Sequence, residues 1–409
     1  MILKRSRKAT RILKQNKNLW FFLAAYFLVL FNYPLIRAAS TTFFFEAYGA
    51  KSSPTALFIS VFFLSFSIWA CSYLQVRSTA QKVFALASVL SSLLFLSGLF
   101  GLPYVSFIWK EIYIVIQVHL LLAYANVYFS KEDFKSLVGP IGAVGSIGGI
   151  LGGLLTSYIS SSWGGTRTVM IMGVVCTTLP AIFFLLTDTL KFEKKTERKV
   201  SPLKSLSDSN VRNYVLMIAS IVVLTQFIIN IFDFKFNIAF ETAIPDSTEK
   251  TTYLGHLYTL TNALTLGLQL LVVPFLLKKI SEKNYHVFIP LSFFLCLGII
   301  LIPGFPILTI AAVYIYVKAA DYSLFSSGKE ILYQPLSPEQ KYGAKYLTDM
   351  LVYRAGKALI AAVLIYIQSS TILNIMIFGF LTLWVIQVLR LFKAQKTSLY
   401  RGSHEQPVT

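Results

Sequence analysis

Apolar runs close to or longer than 20 residues recur from Leu19 to about residue 392. A helix of about 20 apolar residues crosses the roughly 30 Å of hydrocarbon in a bilayer. In hydrocarbon every backbone N–H and C=O must be satisfied internally, so such runs can only be helices. A membrane barrel would instead show segments of about ten residues with alternating polarity. With 56% hydrophobic and 13% charged residues, a soluble domain of 409 residues could not hide the apolar surface. The expected fold is therefore an all-α membrane protein.

Twelve spans are expected, over 19–46, 54–75, 83–101, 103–129, 137–160, 166–187, 213–236, 253–277, 286–303, 305–330, 346–368 and 372–392. The run from Leu19 is too long for a signal-peptide core and is followed by no small-residue cleavage site, so it reads as a retained first span. About 28 of the 37 Lys and Arg fall in the two tails and in the connections on their side. The opposite side and outer helix ends carry Arg37, Lys51, Arg167, Lys235 and Lys250. Excess cations mark the cytoplasmic face, which puts both termini in the cytoplasm of a multi-pass inner-membrane protein.

The basic connection Asp188–Asn213 is the longest and divides the chain into six-span halves. The expected units are 1–187, a linker over 188–213, a second half over 214–393, and a tail over 394–409. Two such halves around a midplane site are the layout of a major-facilitator-type transporter. A weak internal repeat agrees: Arg37 and Lys235 lie at the outer parts of spans 1 and 7, and Lys110 and Lys318 lie inside spans 4 and 10.

Charge inside a span costs about 2.5–3.5 kcal/mol per residue on insertion scales, so the intramembrane charges are functional candidates. Lys318 and Asp321 are three apart and share a helix face. Arg354 and Lys357 are also three apart; two adjacent cations call for an anion, and Arg offers the planar fork that phosphate or carboxylate fits. Asp349 could neutralise one of them. Glu111 follows Lys110, and adjacent helical residues diverge by about 100°, so the two are not expected to pair. Glu111, Asp321 and Asp233 are candidates to carry a coupling proton, with His119 two turns from Glu111. Glycines 145, 149 and 153 are spaced for close helix packing, and the run lacks the Gly-Lys-Ser/Thr of a phosphate loop. Cys71, Cys176 and Cys296 have no metal or redox spacing and read as packing residues. No cofactor, metal site or catalytic constellation is legible, nor the basic, aromatic surface of a nucleic-acid binder.

The stretch Lys329–Lys357, "KEILYQPLSPEQKYGAKYLTDMLVYRAGK", resembles the signature of the ATP/ADP translocase family of obligate intracellular bacteria and plastids. Lys329, Glu330, Tyr333, Pro335, Leu336, Glu339, Lys341, Lys345, Asp349, Arg354, Gly356 and Lys357 match it, as do Lys318 and "YSLF" upstream. "LFNYPLIR" around Arg37, Glu111 before Tyr113, "SPLKSL" and "INIFDF" are similar as well. The chain departs from the pattern at Ala38, Ala39, Ser40 and Thr41, at Asp321 and Ser326, at Gly343, and at Lys235 and Asn237. The resemblance implies alternating-access transport of nucleotides or related phosphorylated anions by exchange. It implies Arg37, Glu111, Lys318, Arg354 and Lys357 at the substrate; Lys110 and Asp321 join them as charges inside spans 4 and 10, and Glu330, Lys345 and Asp349, near the cytoplasmic ends of spans 10 and 11, are expected as gate or ion-pair residues. The expected partners are a phosphorylated small molecule and the lipid bilayer, with no nucleic acid, and the protein is expected to act as a monomer and not as an enzyme. A proton-coupled importer of another organic anion and a non-transporting membrane scaffold are the alternatives.

Overall fold

The computed structural model describes residues 16–190, 207–302 and 307–402. The basic N-terminal tail, most of the 188–213 linker including "SPLKSL", and the end of the C-terminal tail lie outside the described residues. Among the described residues the long elements are helices, and none is a strand. They are α1 (Lys17–Tyr48), α2 (Ser53–Arg77), α3 (Ala80–Leu96), α4 (Pro103–Tyr128), α5 (Lys131–Ser162) and α6 (Gly165–Leu185). Next come α7 (Ser209–Ala243), α8 (Ser247–Lys279), α9 (Glu282–Leu301), α10 (Ile307–Leu332), α11 over 338–366, and α12 (Ser370–Gly402).

All except α11 are long and apolar enough to cross a membrane, which makes eleven among the described residues. The exception is the helix expected to bind the anion: Asp349, Arg354 and Lys357 interrupt its apolar sequence. Polar side chains fix several starts. Asn16, Thr79, Ser130 and Ser281 each accept a backbone N–H from the first turn of the next helix, and Ser337 with Gln340 forms a capping box ahead of α11. Gly49 ends α1 at φ 74°, a left-handed value that a side chain would resist. Phe62, Phe66, Trp69 and Tyr73 recur at helical spacing on the exposed face of α2, as a lipid-facing stripe requires.

The helices form two compact units. One holds α1–α6 together with residues 241–266; the other holds residues 209–240 of α7, α8 from Gly267 onward, and α9–α12. In the first unit α1 packs on α5 through glycines. A Cβ at Gly148 would lie 2.7 Å from the Phe27 carbonyl oxygen and one at Gly152 only 1.9 Å from that of Phe31. Around the helix, a Cβ at Gly153 would lie 2.7 Å from the Gly255 carbonyl oxygen of α8. Hydroxyls tie the same α8 segment to its unit: Thr251 Oγ1 donates to Thr42 (2.9 Å), and Ser160 Oγ donates to the Thr248 carbonyl (2.9 Å). In the second unit Phe293, Phe325 and Trp384 form the centre of an aromatic core; the Trp384 ring lies 5.8 Å from that of Phe293 and 5.6 Å from that of Phe325.

Three stretches of π-helix interrupt this second unit: Leu268–Val272 in α8, Asp321–Phe325 in α10 and Tyr346–Val352 in α11. Each inserts a residue into the helical turn and rotates the residues after it, a device common at functional sites.

Candidate functional site

In the first unit, α1 presents Arg37 and α4 presents Lys110 and Glu111. The Arg37 guanidinium lies 4.4 Å from the ring centroid of Tyr258 and 5.7 Å from that of Tyr33. Aromatic faces hold a cation in place through the ring and not through the edge of the guanidinium that donates hydrogen bonds. Lys110 is 5% exposed, and its Nζ stands 3.9 Å from the Phe107 centroid. Phe44 backs that ring at 4.0 Å. Against expectation, Lys110 pairs with its neighbour: Nζ to Glu111 Oε1 is 2.9 Å. The backbone directions do diverge, but both side chains are long enough to bend together where water is scarce.

In the second unit, Lys318 on α10 is 8% exposed and meets Asp233 on α7, with Nζ to Oδ2 at 2.5 Å. Sequence spacing points to Asp321 as its partner, but the ion pair crosses to another helix. Asp321 begins the α10 π stretch and remains under the field of Lys318. Neighbouring helices cap carbonyls in and beside this bulge. Gln269 Nε2 donates to the Tyr322 carbonyl (3.1 Å), Tyr285 OH to that of Leu324 (2.9 Å), and His286 Nε2 lies 3.1 Å from that of Gly328. A buried carbonyl freed from its helix requires such a donor.

Below the bulge, two ion pairs join α10 to α11. Lys329 Nζ lies 2.7 Å from Asp349 Oδ1, and Lys345 Nζ lies 2.6 Å from Glu330 Oε2. Asp349 thus neutralises Lys329, a cation on another helix, where the spacing points to the cations of its own helix. Arg354 and Lys357 lie just beyond the α11 π stretch. Between them Gly356 packs on α7 near Val223 and Gln226. No carboxylate of the described residues forms an ion pair with Arg354. Toward the C-terminal end of α7, Lys235 donates to Ser370 Oγ of α12 (2.7 Å).

Sequence reasoning gives too little weight to Asp233 and Lys329, and it misses the bulge caps Gln269, Tyr285 and His286. Lys329 carries a signal in its spacing from Glu330 and Asp349; the caps carry none.

The family model of the Major Facilitator Superfamily matches residues 115–328, more than half of the chain. The chain belongs to the Major Facilitator Superfamily. It is a multi-pass membrane transporter of that kind. Over 346 residues this facilitator is 22% identical to ADP,ATP carrier protein 3 of Rickettsia conorii and 23% identical to that of Rickettsia prowazekii. Each match covers 70% of this chain and 69% of the relative. Its fold is similar to that of the nucleoside transporter NupG (TM-score 0.64, 13% identity, 93% of this chain and 100% of that one). It is also similar to that of an autoinhibited POT family peptide transporter (TM-score 0.66, 11% identity, 93% of this chain and 97% of that one).

Proposed function

We propose that this facilitator carries nucleotides or related phosphorylated anions, by exchange, across a bacterial inner membrane with both termini in the cytoplasm. The observation that carries the substrate class is the state of Arg354. Lys110 and Lys318 have carboxylates at 2.9 and 2.5 Å, whereas Arg354 forms no ion pair with a described carboxylate. A cation in a membrane-embedded helix without a countercharge is costly, and an anionic substrate relieves that cost. Lys357, one turn on, adds a second cation for the same anion, and Arg37, resting on tyrosines, adds another planar fork. The likeness to ADP,ATP carriers of Rickettsia supports a phosphorylated substrate. A fold shared with a nucleoside transporter and a peptide transporter carries no substrate by itself.

Arg37, Arg354 and Lys357 are proposed to hold phosphate oxygens, with Lys110 and Lys318 extending the positive cavity and Glu111 and Asp321 balancing the charge of the empty site. Glu330, Lys345 and Asp349 are proposed as gate pairs on the cytoplasmic side. The two six-span halves, 1–187 and 214–393, are proposed as the alternating-access repeats, and no covalent step is needed. Exchange follows from charge: a strongly cationic site resists reorienting while empty, so substrate must fill it in both directions.

The test is uptake by purified protein in liposomes, with labelled ATP, ADP and other nucleotides outside and unlabelled nucleotide inside. Uptake is expected only in preloaded vesicles, and it is expected to fall at least about tenfold in Arg354→Ala, the loss of one charge-assisted contact. Uptake driven by a pH gradient with empty vesicles points to the proton-coupled alternative. Failure to bind or move any phosphorylated anion overturns the proposal.

A further inference from the structure

Helix α2 is the least buried of the eleven spans among the described residues. Toward its C-terminal end the exposed rings follow one another: Phe66 lies 5.7 Å from Trp69, and Trp69 lies 5.8 Å from Tyr73 in a nearly parallel stack. The Arg77 guanidinium closes the ladder, 4.1 Å from the Tyr73 ring centroid. From Trp69 to Arg77 the helix rises about 12 Å, enough to join acyl chain to headgroup. Arg77 is exposed and forms no ion pair with a described carboxylate. A ring face holds a guanidinium and leaves its donating edge free. From Tyr73 to Lys82 the chain reads "YLQVRSTAQK", with two cations and no acid. Thr79 Oγ1 accepts the Lys82 N–H (3.3 Å), which fixes Lys82 in the first turn of α3. Asp188 comes near through its carbonyl, which Gln81 holds at 2.6 Å, but its Oδ2 is taken by Tyr128 (2.9 Å) and Asn18.

The arrangement recurs on α8, the second helix of the other proposed half. Lys279 Nζ lies 4.7 Å from the Phe275 centroid, four residues apart as in α2, and Ser281 caps the next helix two residues on, as Thr79 does. Leu271 and Phe275 are exposed, like Trp69 and Tyr73. A single cation at a helix end is ordinary snorkelling. An aromatic ring, a cation over it and a cap, at one spacing in both halves, call for a shared purpose.

We propose that the α2 ladder, with Arg77 and Lys82, binds one anionic phospholipid, and that Phe275, Lys279 and Lys283 form a second, weaker site of the same kind. In the first site the acyl chain lies along Phe66, Trp69 and Tyr73, and the phosphate meets the free edge of Arg77. Lys82 adds a point charge from the next helix, and cations beside a membrane surface draw anionic lipid. A zwitterionic lipid brings its own cation to the same place, and Tyr73, already covered by Arg77, has no free face for it. The second site is weaker because lysine lacks the planar fork and because Glu282, in the first turn of α9, offsets one positive charge. Both sites lie apart from the proposed anion site and do not depend on which substrate is carried.

The test is native mass spectrometry of the detergent-solubilised full chain, titrated with phosphatidylglycerol or with phosphatidylcholine of the same acyl chains. Wild type is expected to hold two phosphatidylglycerol molecules, each more tightly than phosphatidylcholine. Arg77→Gln is expected to weaken the tighter step about fivefold or more, the attraction of one cation for an anionic lipid. Lys279→Gln is expected to weaken the other step. Trp69→Ala is expected to weaken the tighter step as well, and inorganic phosphate is expected not to compete; together these tell a lipid from a free phosphate. Arg77 and Trp69 are exposed, so both variants are expected to melt as wild type does. If Arg77→Gln does not fold, Lys82→Gln reads the same step. Equal retention of the two lipids, an unchanged titration in Arg77→Gln and Lys82→Gln, or competition by phosphate with no effect of Trp69→Ala overturns the site. Dimers that disappear in Trp69→Ala would assign the α2 face to a second copy of the chain and overturn it too.

Discussion

The ammonium of Lys318 on α10, a buried residue, lies 2.5 Å from Oδ2 of the partly exposed Asp233 on α7. A buried pair of this kind is costly to break, because removing one partner strands the other charge. Asp233→Ala is therefore expected to destabilise the protein by about 3–5 kcal/mol. The double variant Asp233→Ala, Lys318→Met is expected to recover most of that loss, since no charge is left uncompensated. Unfolding in detergent with the four members of this cycle checks it; a double variant no better than the single one refutes it.

The two pairs that join α10 to α11 differ in exposure. Lys329 and Asp349 have side chains 18% and 34% exposed, against 36% and 51% for Lys345 and Glu330. Solvent screens the second pair, so Glu330→Gln is expected to change stability by no more than about 1 kcal/mol. Lys329→Asp places two carboxylates together and is expected to slow transport at least about tenfold, with recovery when Asp349→Lys restores the pair in reverse. Initial uptake rates for the two single variants and the exchanged pair are the measurement.

Glycine in α5 matters by position. A Cβ at Gly152 would lie 1.9 Å from the Phe31 carbonyl oxygen, whereas one at Gly139 meets nothing within 4 Å. Gly152→Ala is expected to force α1 and α5 apart and to abolish folded protein in detergent. Gly139→Ala is expected to stabilise by up to about 1 kcal/mol, because alanine gains helix propensity where space is open. Size-exclusion profiles and melting curves separate the two outcomes.

The helices and their approximate limits are legible in the sequence because hydrocarbon thickness sets a length that apolar runs display directly. The anion candidate Arg354 is legible for the opposite reason, a charge where that length forbids one. The pairings are less so. Lys318 and Asp321 share a face, yet which carboxylate lies nearest depends on how α7 packs on α10, and residue 233 is far off in sequence. Lys110 and Glu111 have backbone directions that oppose contact, but flexible side chains override them. The π stretches leave no trace, since one inserted residue changes hydrophobic periodicity too little to read.

The register change in α10 is held by a residue of another helix. Tyr285 on α9 is fully buried, and its hydroxyl donates to the Leu324 carbonyl at 2.9 Å, inside the Asp321–Phe325 bulge. Tyr285→Phe removes the donor with little change of shape and leaves a buried carbonyl without that hydrogen bond. The cost is expected to be about 1–3 kcal/mol. If the bulge only packs the helix, melting temperature falls and substrate affinity holds. If it sets the position of Asp321, as the clamp from two helices implies, the half-saturating substrate concentration shifts as well. Gln269→Ala, which strips the cap from Tyr322 on the other side, is then expected to shift it in the same direction. Unchanged affinity in both variants would show that the bulge does not place the carboxylate.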